Sequence, residues 1–346
     1  MYRLQLILVA FLFSTLVFPQ SDSELNVSSK STKTDTSFID DKSDYLNLFI
    51  FGKSKYNSFS IIKKETEQMI KYAPNSNFNI GFGFNYKWMG LGIAFNLPAI
   101  NNDDEKYGKT QSFDAQMNIF AHKYSVDFYL NYYKGYYVQN PEVLGAPYSK
   151  KSPPPTIPSM ETNTLGLSYF YVLNHKRFSY RASFIQNERQ KKMAGSMIVG
   201  IISHFNRTLS DTSFIPDLFL EDVEAPEKYK IRGLASFDIG PMFGYGYNFI
   251  IKKRIMITLS TVPGLVYQRI ITLTTINGVD TTESNNKIGF VISTKIALIY
   301  NGETYYYGIN FSDFRSNHNY ENVGLATNVG NFRFFFGRRF NVKKKK

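Results

Sequence analysis

The sequence predicts an all-β fold, specifically a transmembrane antiparallel up-and-down β-barrel of about 12 strands, with 14 as the alternative. Three observations carry this reading. Apolar and polar residues alternate with period two along many segments. Several of these segments are long enough to cross a bilayer as tilted strands. Beyond residue 20, no segment approaches the 18 consecutive apolar residues that a membrane-spanning helix needs. The aromatic content agrees, with Tyr 25 and Phe 31 against one Trp, because flat side chains pack well on a pleated surface.

Residues Leu4 to Phe18 form an almost unbroken apolar run after Arg3, and residues 1–20 are assigned as a secretory signal peptide. Residues 21–44 are rich in Ser, Thr, Asp and Lys. They hold too little apolar surface to offset ordering entropy, so a mobile polar N-terminal arm is expected. Residues 45–340 are assigned to the barrel and residues 341–346 to a basic C-terminal tail.

The alternation is clearest from Phe78 to Trp88, where every even residue is apolar and the odd ones are Asn79, Gly81, Gly83, Asn85 and Lys87. Eleven residues rising ~3.3 Å each and tilted ~40° cover roughly 28 Å, about one hydrocarbon thickness. The pattern returns at Leu91–Leu97, Val126–Tyr132, Leu165–Leu173, Phe178–Phe184, Ile239–Phe249, Ile255–Leu259 and Ile288–Ile292. A soluble sandwich also alternates, but its strands are usually shorter. Gly81 and Gly83 sit mid-strand, where glycine relieves crowding inside the barrel and does not cradle phosphate. Trp88, Tyr133, Tyr136, Tyr137, Tyr300, Tyr305 and Tyr306 lie near strand ends and suit interfacial girdles.

Connections at 89–90, 122–123, 174–176, 252–253 and 301–303 are tight, whereas 64–76, 99–110, 137–161 and 276–286 are long. Outer-membrane barrels have short periplasmic turns and longer external loops, so both termini are expected in the periplasm. Residues 193–205 and 231–250 both read as descending strands, which leaves the strand count one return short.

The side chains expected in the lumen are Asn79, Asn85, Lys87, Asn96, Asp127, Asn131, Arg181 and Lys295, a mixture of both charge signs able to pair across a small interior. The net charge of +12 is inflated by Arg3 in the leader and by Lys343–Lys346 in the tail, and no basic helix or nucleic-acid motif is present, so nucleic acid is not expected as a partner. The absence of cysteine excludes disulfides, thiolate metal sites and cysteine nucleophiles. His122 and His175 fall in predicted turns, His204 in a strand and His318 in a predicted loop, without clustering. No catalytic residues, metal site or cofactor are therefore assigned. Asn101–Glu105 offers oxygen ligands without calcium-loop spacing and reads as a solvated acidic loop. Gln186–Lys192 reads as a strand leaving the bilayer, and Pro153–Pro155 with Pro158 stiffen an external loop.

Further motifs carry a resemblance. They include Tyr72-x-Pro74-Asn75-x-Asn77, Tyr86-Lys87-Trp88-x-Gly90-Leu91, Tyr133-Lys134-Gly135-Tyr136-Tyr137, Asn174-x-Lys176-Arg177-Phe178-Ser179-Tyr180-Arg181-Ala182, Gln186-Asn187-Glu188 and Gly330-Asn331-Phe332-Arg333. Together they resemble a family of Bacteroidota outer-membrane β-barrels, domain of unknown function family 4421, across nearly all of the chain after the leader. The resemblance implies a barrel in the bacterial outer membrane and brings no catalytic residues. The final strand, Phe332-x-Phe334-x-Phe336-x-Arg338-x-Phe340, is similar to the signal read by the barrel-assembly machinery, although six residues follow it.

The resulting expectation is a non-enzymatic outer-membrane barrel acting as a narrow channel or as a structural or interaction element. Its expected partners are outer-membrane lipids including lipopolysaccharide, and the assembly machinery during biogenesis. A lipid- or peptide-hydrolysing enzyme and a surface receptor or adhesin acting through long loops are the alternatives.

Overall fold

The computed structural model describes residues 34–76, 78–86, 89–96, 103–145, 148–149, 153–220, 230–276, 278–320 and 323–342. A short strand β1 (Ile39–Asp41) precedes β2 (Tyr45–Lys63), β3 (Met69–Pro74), β4 (Phe78–Tyr86), β5 (Met89–Asn96), β6 (Gln111–Phe120), β7 (Tyr124–Val138) and β8 (Thr156–Val172). Strand β9 (Glu188–Gln190) is again short. It is followed by β10 (Ala194–Leu209), β11 (Ile231–Ile251), β12 (Ile255–Ile276), β13 (Val279–Asn301), β14 (Tyr305–Tyr320) and β15 (Val323–Asn341). Two short helices, α1 (Asp104–Tyr107) and α2 (Tyr180–Phe184), interrupt the series.

All pairings are antiparallel. Ten strands close a ring in the order β2, β3, β7, β8, β10, β11, β12, β13, β14, β15 and back to β2. The closing ladder runs from Val323↔Lys63 to Asn341↔Tyr45, so the first and last long strands leave no open edge there. Strand β4 also pairs with β2, along Asn47–Ser54, β5 pairs with β4, and β6 pairs with β7. Hydrogen bonding therefore delimits a ring of ten strands with β4, β5 and β6 attached to it, a different count from the expected 12 or 14.

Alternation builds the wall as expected. Ile80, Phe82, Leu91, Ile93, Phe95, Leu165, Leu167, Phe243, Leu259 and Phe334 point outward and are exposed, while Asn85, Asp127, Asn131, Thr164, Ser168 and Lys295 point inward and are buried. The exposed apolar residues recur on strand after strand, a belt far beyond the ~300–600 Å² patch of an ordinary soluble surface. Gly81 and Gly83 face inward beneath Phe51 and Phe49 of β2; a Cβ there would lie 2.7 and 2.6 Å from those rings. No helix among the described residues is long and apolar enough to cross a membrane.

Several local expectations are corrected. Residues 69–74 and 279–286 are strand, and the latter belong to a hairpin whose ladder ends at Ile276↔Val279. His318 lies in β14, not in a loop. Tyr133, Tyr136 and Tyr306 point inward and are buried, because neighbours along a strand face opposite sides and cannot all join one girdle. The expected strand Phe178–Phe184 is instead helix α2 with every residue buried, and 174–176 opens a long inward excursion. Its period-two pattern carried no facing information, since both sides of the segment meet protein. Removing that strand restores alternating direction: β8 runs one way, β10 back, and β11 forward again. Residues 1–33, and with them the leader assignment, lie outside the described residues, as do 343–346 of the expected tail, whereas Asn341 at its start belongs to β15 and pairs with Tyr45.

Candidate functional site: a lumen stoppered at both ends

The end where β2 begins, here called proximal, is filled by residues 174–192 folded back into the barrel. Ser179 starts α2 by accepting a hydrogen bond from the Ala182 backbone N–H at 2.9 Å, an N-cap that satisfies a helix-end donor. Phe178, Tyr180, Ala182 and Phe184 then pack against wall residues including Phe120, Ile198, Met256 and Ile299. Polar groups fasten the segment to the wall. The Ser183 and Thr258 hydroxyls are 2.6 Å apart, Asn248 Nδ2 donates to the Ser179 carbonyl at 3.0 Å, and Arg339 Nη2 donates to the Gln186 carbonyl at 2.6 Å. Residues 34–44, the described part of the expected mobile arm, are tied in as well: β1 pairs with β9, and Lys42 N–H donates to the Asn187 carbonyl at 2.9 Å.

Glu188 is the hub of this stopper, 1% exposed. It accepts from Arg181 Nη1 at 2.7 Å, from His122 Nδ1 at 2.8 Å and from the Ser179 hydroxyl. Arg181 Nη1 also donates to His122 Nε2 at 2.7 Å, so the imidazole sits between the guanidinium and the carboxylate. Burial alone would raise the Glu188 carboxyl; the bonds from His122, Arg181 and Ser179 outweigh it and hold the group below its usual value. Because the folded value is depressed, this contribution is present above the ordinary carboxylate range and is lost as pH falls through the lowered folded value. The stopper should thus stay seated above the ordinary carboxylate range and loosen only as pH falls below it. Protease nicking of residues 174–192 across a pH series checks this, and Glu188→Gln should make nicking at pH 7 resemble that of the parent in acid.

The opposite, distal end is closed by residues 210–220 folded into the mouth. Phe214, Ile215 and Phe219 are buried among Phe59, Ile61, Ile70, Tyr72 and Tyr136. Tyr72 OH donates to the Phe214 carbonyl at 2.6 Å, the Phe59 and Phe214 rings meet edge to face at 5.2 Å, and Lys63 Nζ lies 5.1 Å from the Phe219 ring centre.

Between the stoppers the expected lumen residues fall as follows. Asp127 and Lys295, from strands on different sides of the barrel, form an ion pair with side chains 2% and 4% exposed, and Asn118 Nδ2 donates to Asp127 at 2.7 Å. Asn131, with its amide oriented to suit its partners, donates to Asp114 Oδ1 at 3.3 Å. Asn85 reaches the stopper, donating to the Ile185 carbonyl at 3.0 Å. Asn79 lines a cavity of about 290 Å³ with Lys53, Lys55, Asp114 and Tyr133, and is the register partner of Asn96. Arg181 is inside the barrel, but on α2 and not on a wall strand. Lys87 lies outside the described residues.

Sequence reasoning missed Lys53, Lys55, Asp114, Glu188, Arg333 and a cluster around Asp238. Lys53 and Lys55 share the inward parity of Phe49 and Phe51, a signal that was readable. His204 and His318 do come together: His204 Nδ1 lies 3.6 Å from Asp238 Oδ2, and His318 Nε2 lies 3.2 Å from Asp238 Oδ1 and 3.2 Å from Ser316 Oγ. Ser316 donates to Asp238 at 2.6 Å, not to the imidazole, and one ring nitrogen of His318 faces both partners, so the chain of contacts is not a nucleophile–base–orienter relay. All four side chains are buried. Asp103 and Asp104 of the acidic loop accept from Asn75 Nδ2 at 3.0 and 3.1 Å.

A larger cavity of about 510 Å³ lies directly above the proximal stopper. Phe184, Ile185 and Asn187 form part of its lining, with Lys53, Gln116 and Arg333 on the wall.

Comparisons with known proteins come from three directions. Among solved structures, the outer membrane protease OmpT from Escherichia coli is similar at 7% identity, covering 87% of this chain and 98% of that one with a TM-score of 0.41. The translocator domain of the autotransporter NalP from Neisseria meningitidis is similar at 8% identity, 85% and 88% coverage and a TM-score of 0.31. The P. putida toluene transporter TodX is similar at 7% identity, 86% and 90% coverage and a TM-score of 0.24. At this level no residue role passes from these proteins to this chain. No curated protein matches the sequence. A family model described as "Domain of unknown function (DUF4421)" matches residues 33–340. With nearly the whole barrel inside that match, the chain belongs to this family.

Proposed function

We propose that the protein is a non-enzymatic β-barrel of the bacterial outer membrane whose axial path is closed at rest, so that it serves as a gated narrow conduit or ligand-handling element and not as an open porin. The observation that carries this reading is the buried α2 stopper, fastened to wall strands through Asn248, Thr258 and Arg339. In the bilayer, β3 and β4 act as one interrupted wall strand, which with β5 and β6 gives the twelve-stranded wall. The exposed apolar belt supports contact with outer-membrane lipids, lipopolysaccharide among them, and β15 is the strand offered to the barrel-assembly machinery. The proximal end faces the periplasm.

The intact chain should show at most a small single-channel conductance in planar bilayers, and should migrate differently on gels after boiling, as closed barrels do. On intact cells, cysteines introduced at Asp104 or Pro154 should react with an impermeant thiol reagent, and one at Lys123 should not. A wide, stable, porin-sized conductance would reject the closed lumen, and reversed labelling would reject the orientation.

A further inference from the structure

Among the described residues, the ladder of the wall is broken at a seam. Strand β5 is hydrogen-bonded to β4 on one side and β6 to β7 on the other, but among the described residues no ladder joins β5 to β6. Among the described residues, backbone pairing spans the gap near its distal end, where Tyr72–Pro74 of β3 pair with Tyr136–Val138 of β7. Two open strand edges therefore lie inside the apolar belt, where unsatisfied backbone groups facing hydrocarbon are costly.

The cavity of about 510 Å³ runs through this seam. Its lining includes Leu91, Met117 and Ile119, which point outward and are exposed at 55%, 53% and 44%, together with the inward residues Gln116, Lys53 and Arg333. A space lined by both faces of the same two strands passes between their edges. With both barrel ends stoppered, the seam is the route by which this cavity meets the surroundings.

The inner end of the cavity carries two basic side chains, Lys53 and Arg333. Lys55 is paired with Asp114 at 3.1 Å, and Lys295 with Asp127. Among the described residues, no carboxylate lies within ion-pair distance of Lys53 or Arg333. The Arg333 guanidinium is held between aromatic rings, 4.9, 4.8 and 5.3 Å from the centres of Phe49, Phe51 and Phe335, and its Nε is buried with no hydrogen-bond partner. A fixed, incompletely satisfied guanidinium beside a lysine is a receptor for an oxyanion. The mouth, by contrast, is aliphatic and opens toward the bilayer.

We infer that the β5–β6 seam is a lateral entry and binding site for an anionic amphiphile, whose head group meets Lys53 and Arg333 while its acyl chain lies past Leu91, Met117 and Ile119 into the membrane. The volume lies within the ~300–1,000 Å³ of small-molecule sites and suits a single chain. The site rests on the reading of a membrane-embedded, axially closed barrel and deepens it: Phe184, Ile185 and Asn187 of the stopper line the same cavity, so an occupant touches the element that closes the axis.

The test uses the full chain in nanodiscs with a sixteen-carbon carboxylate carrying a mid-chain diazirine, and the trimethylammonium probe of the same length as comparison. The expected result is photolabelling confined to residues 91–95 and 117–120, at least about tenfold stronger for the carboxylate, as charge-assisted recognition requires. Lys53→Gln with Arg333→Gln should remove that preference, with the gel shift on boiling reporting that the variant folds; the comparison of probe charges on the parent protein stands if it does not. Palmitate and a lysophosphatidate are the two competitors. Stronger displacement by palmitate identifies a free carboxylate, and stronger displacement by the lysophosphatidate identifies a phosphate head group; either supports the site. Equal labelling by both charges, labelling spread around the belt, or cross-linking of these edges to another polypeptide would overturn it. A flat conductance combined with failed labelling rejects this inference alone, whereas an open axial pore rejects the reading beneath it.

Discussion

Removing both stoppers should convert a closed barrel into a conducting one, while removing either alone should not. Replacing residues 177–190 by a short Gly-Ser turn clears the proximal end, but Phe214, Ile215 and Phe219 still fill the distal mouth. Replacing residues 212–219 clears the mouth and leaves α2 in place. Only the combined variant should show discrete single-channel steps, at least about tenfold above the intact chain, because a barrel of this size is otherwise closed by what its interior holds. Each variant is checked for the gel shift on boiling before recording. Additive, partial conductances from the single replacements would mean that the two segments do not block in series.

The second large effect concerns the ion pair across the lumen. Asp127→Ala or Lys295→Ala alone leaves a charge among neighbours that include the Phe170 ring, 5.2 Å from Lys295 Nζ, and Asn118. Breaking one side of a buried pair typically costs about 3–5 kcal/mol, whereas replacing both partners by apolar groups of similar volume is often neutral. The unfolding midpoint in detergent should therefore fall steeply for each single variant and recover most of the loss in Asp127→Leu with Lys295→Met. Small, additive losses would show that the pair is hydrated in the folded barrel.

The wall was legible in the sequence because its physics is strictly periodic: one face meets an apolar belt and the other a polar lumen, and Ile80, Phe82, Asn85 and Asp127 fall on the sides their parity predicts. The stopper was not legible for the same reason. Phe178, Tyr180, Ala182 and Phe184 alternate as wall residues do, yet the segment is enclosed on every side, and only Ser179 ahead of a five-residue helix marked a different local structure. That one misassignment also produced the missing return strand. The Asp127–Lys295 pair could be anticipated from inward parity and opposite charge. The meeting of His204, Asp238 and His318 could not, because it depends on which strands become neighbours or face one another across the ring. Lys53 and Arg333 share inward parity with the other lumen residues, but that no carboxylate reaches ion-pair distance of them is a property of the assembled interior.

The measurement that bears most directly on the stoppered lumen is a cross-link between stopper and wall. The chain has no cysteine, so Ser183→Cys with Thr258→Cys creates a single thiol pair on a clean background. Their hydroxyls are 2.6 Å apart in the folded protein, so the two thiols replacing them start in contact. The closed barrel predicts near-complete disulfide formation in outer-membrane fractions under mild oxidation, with the conductance remaining at baseline. Free thiols at both positions, reacting readily with a bulky water-soluble reagent, would contradict it and place residues 174–192 outside the barrel.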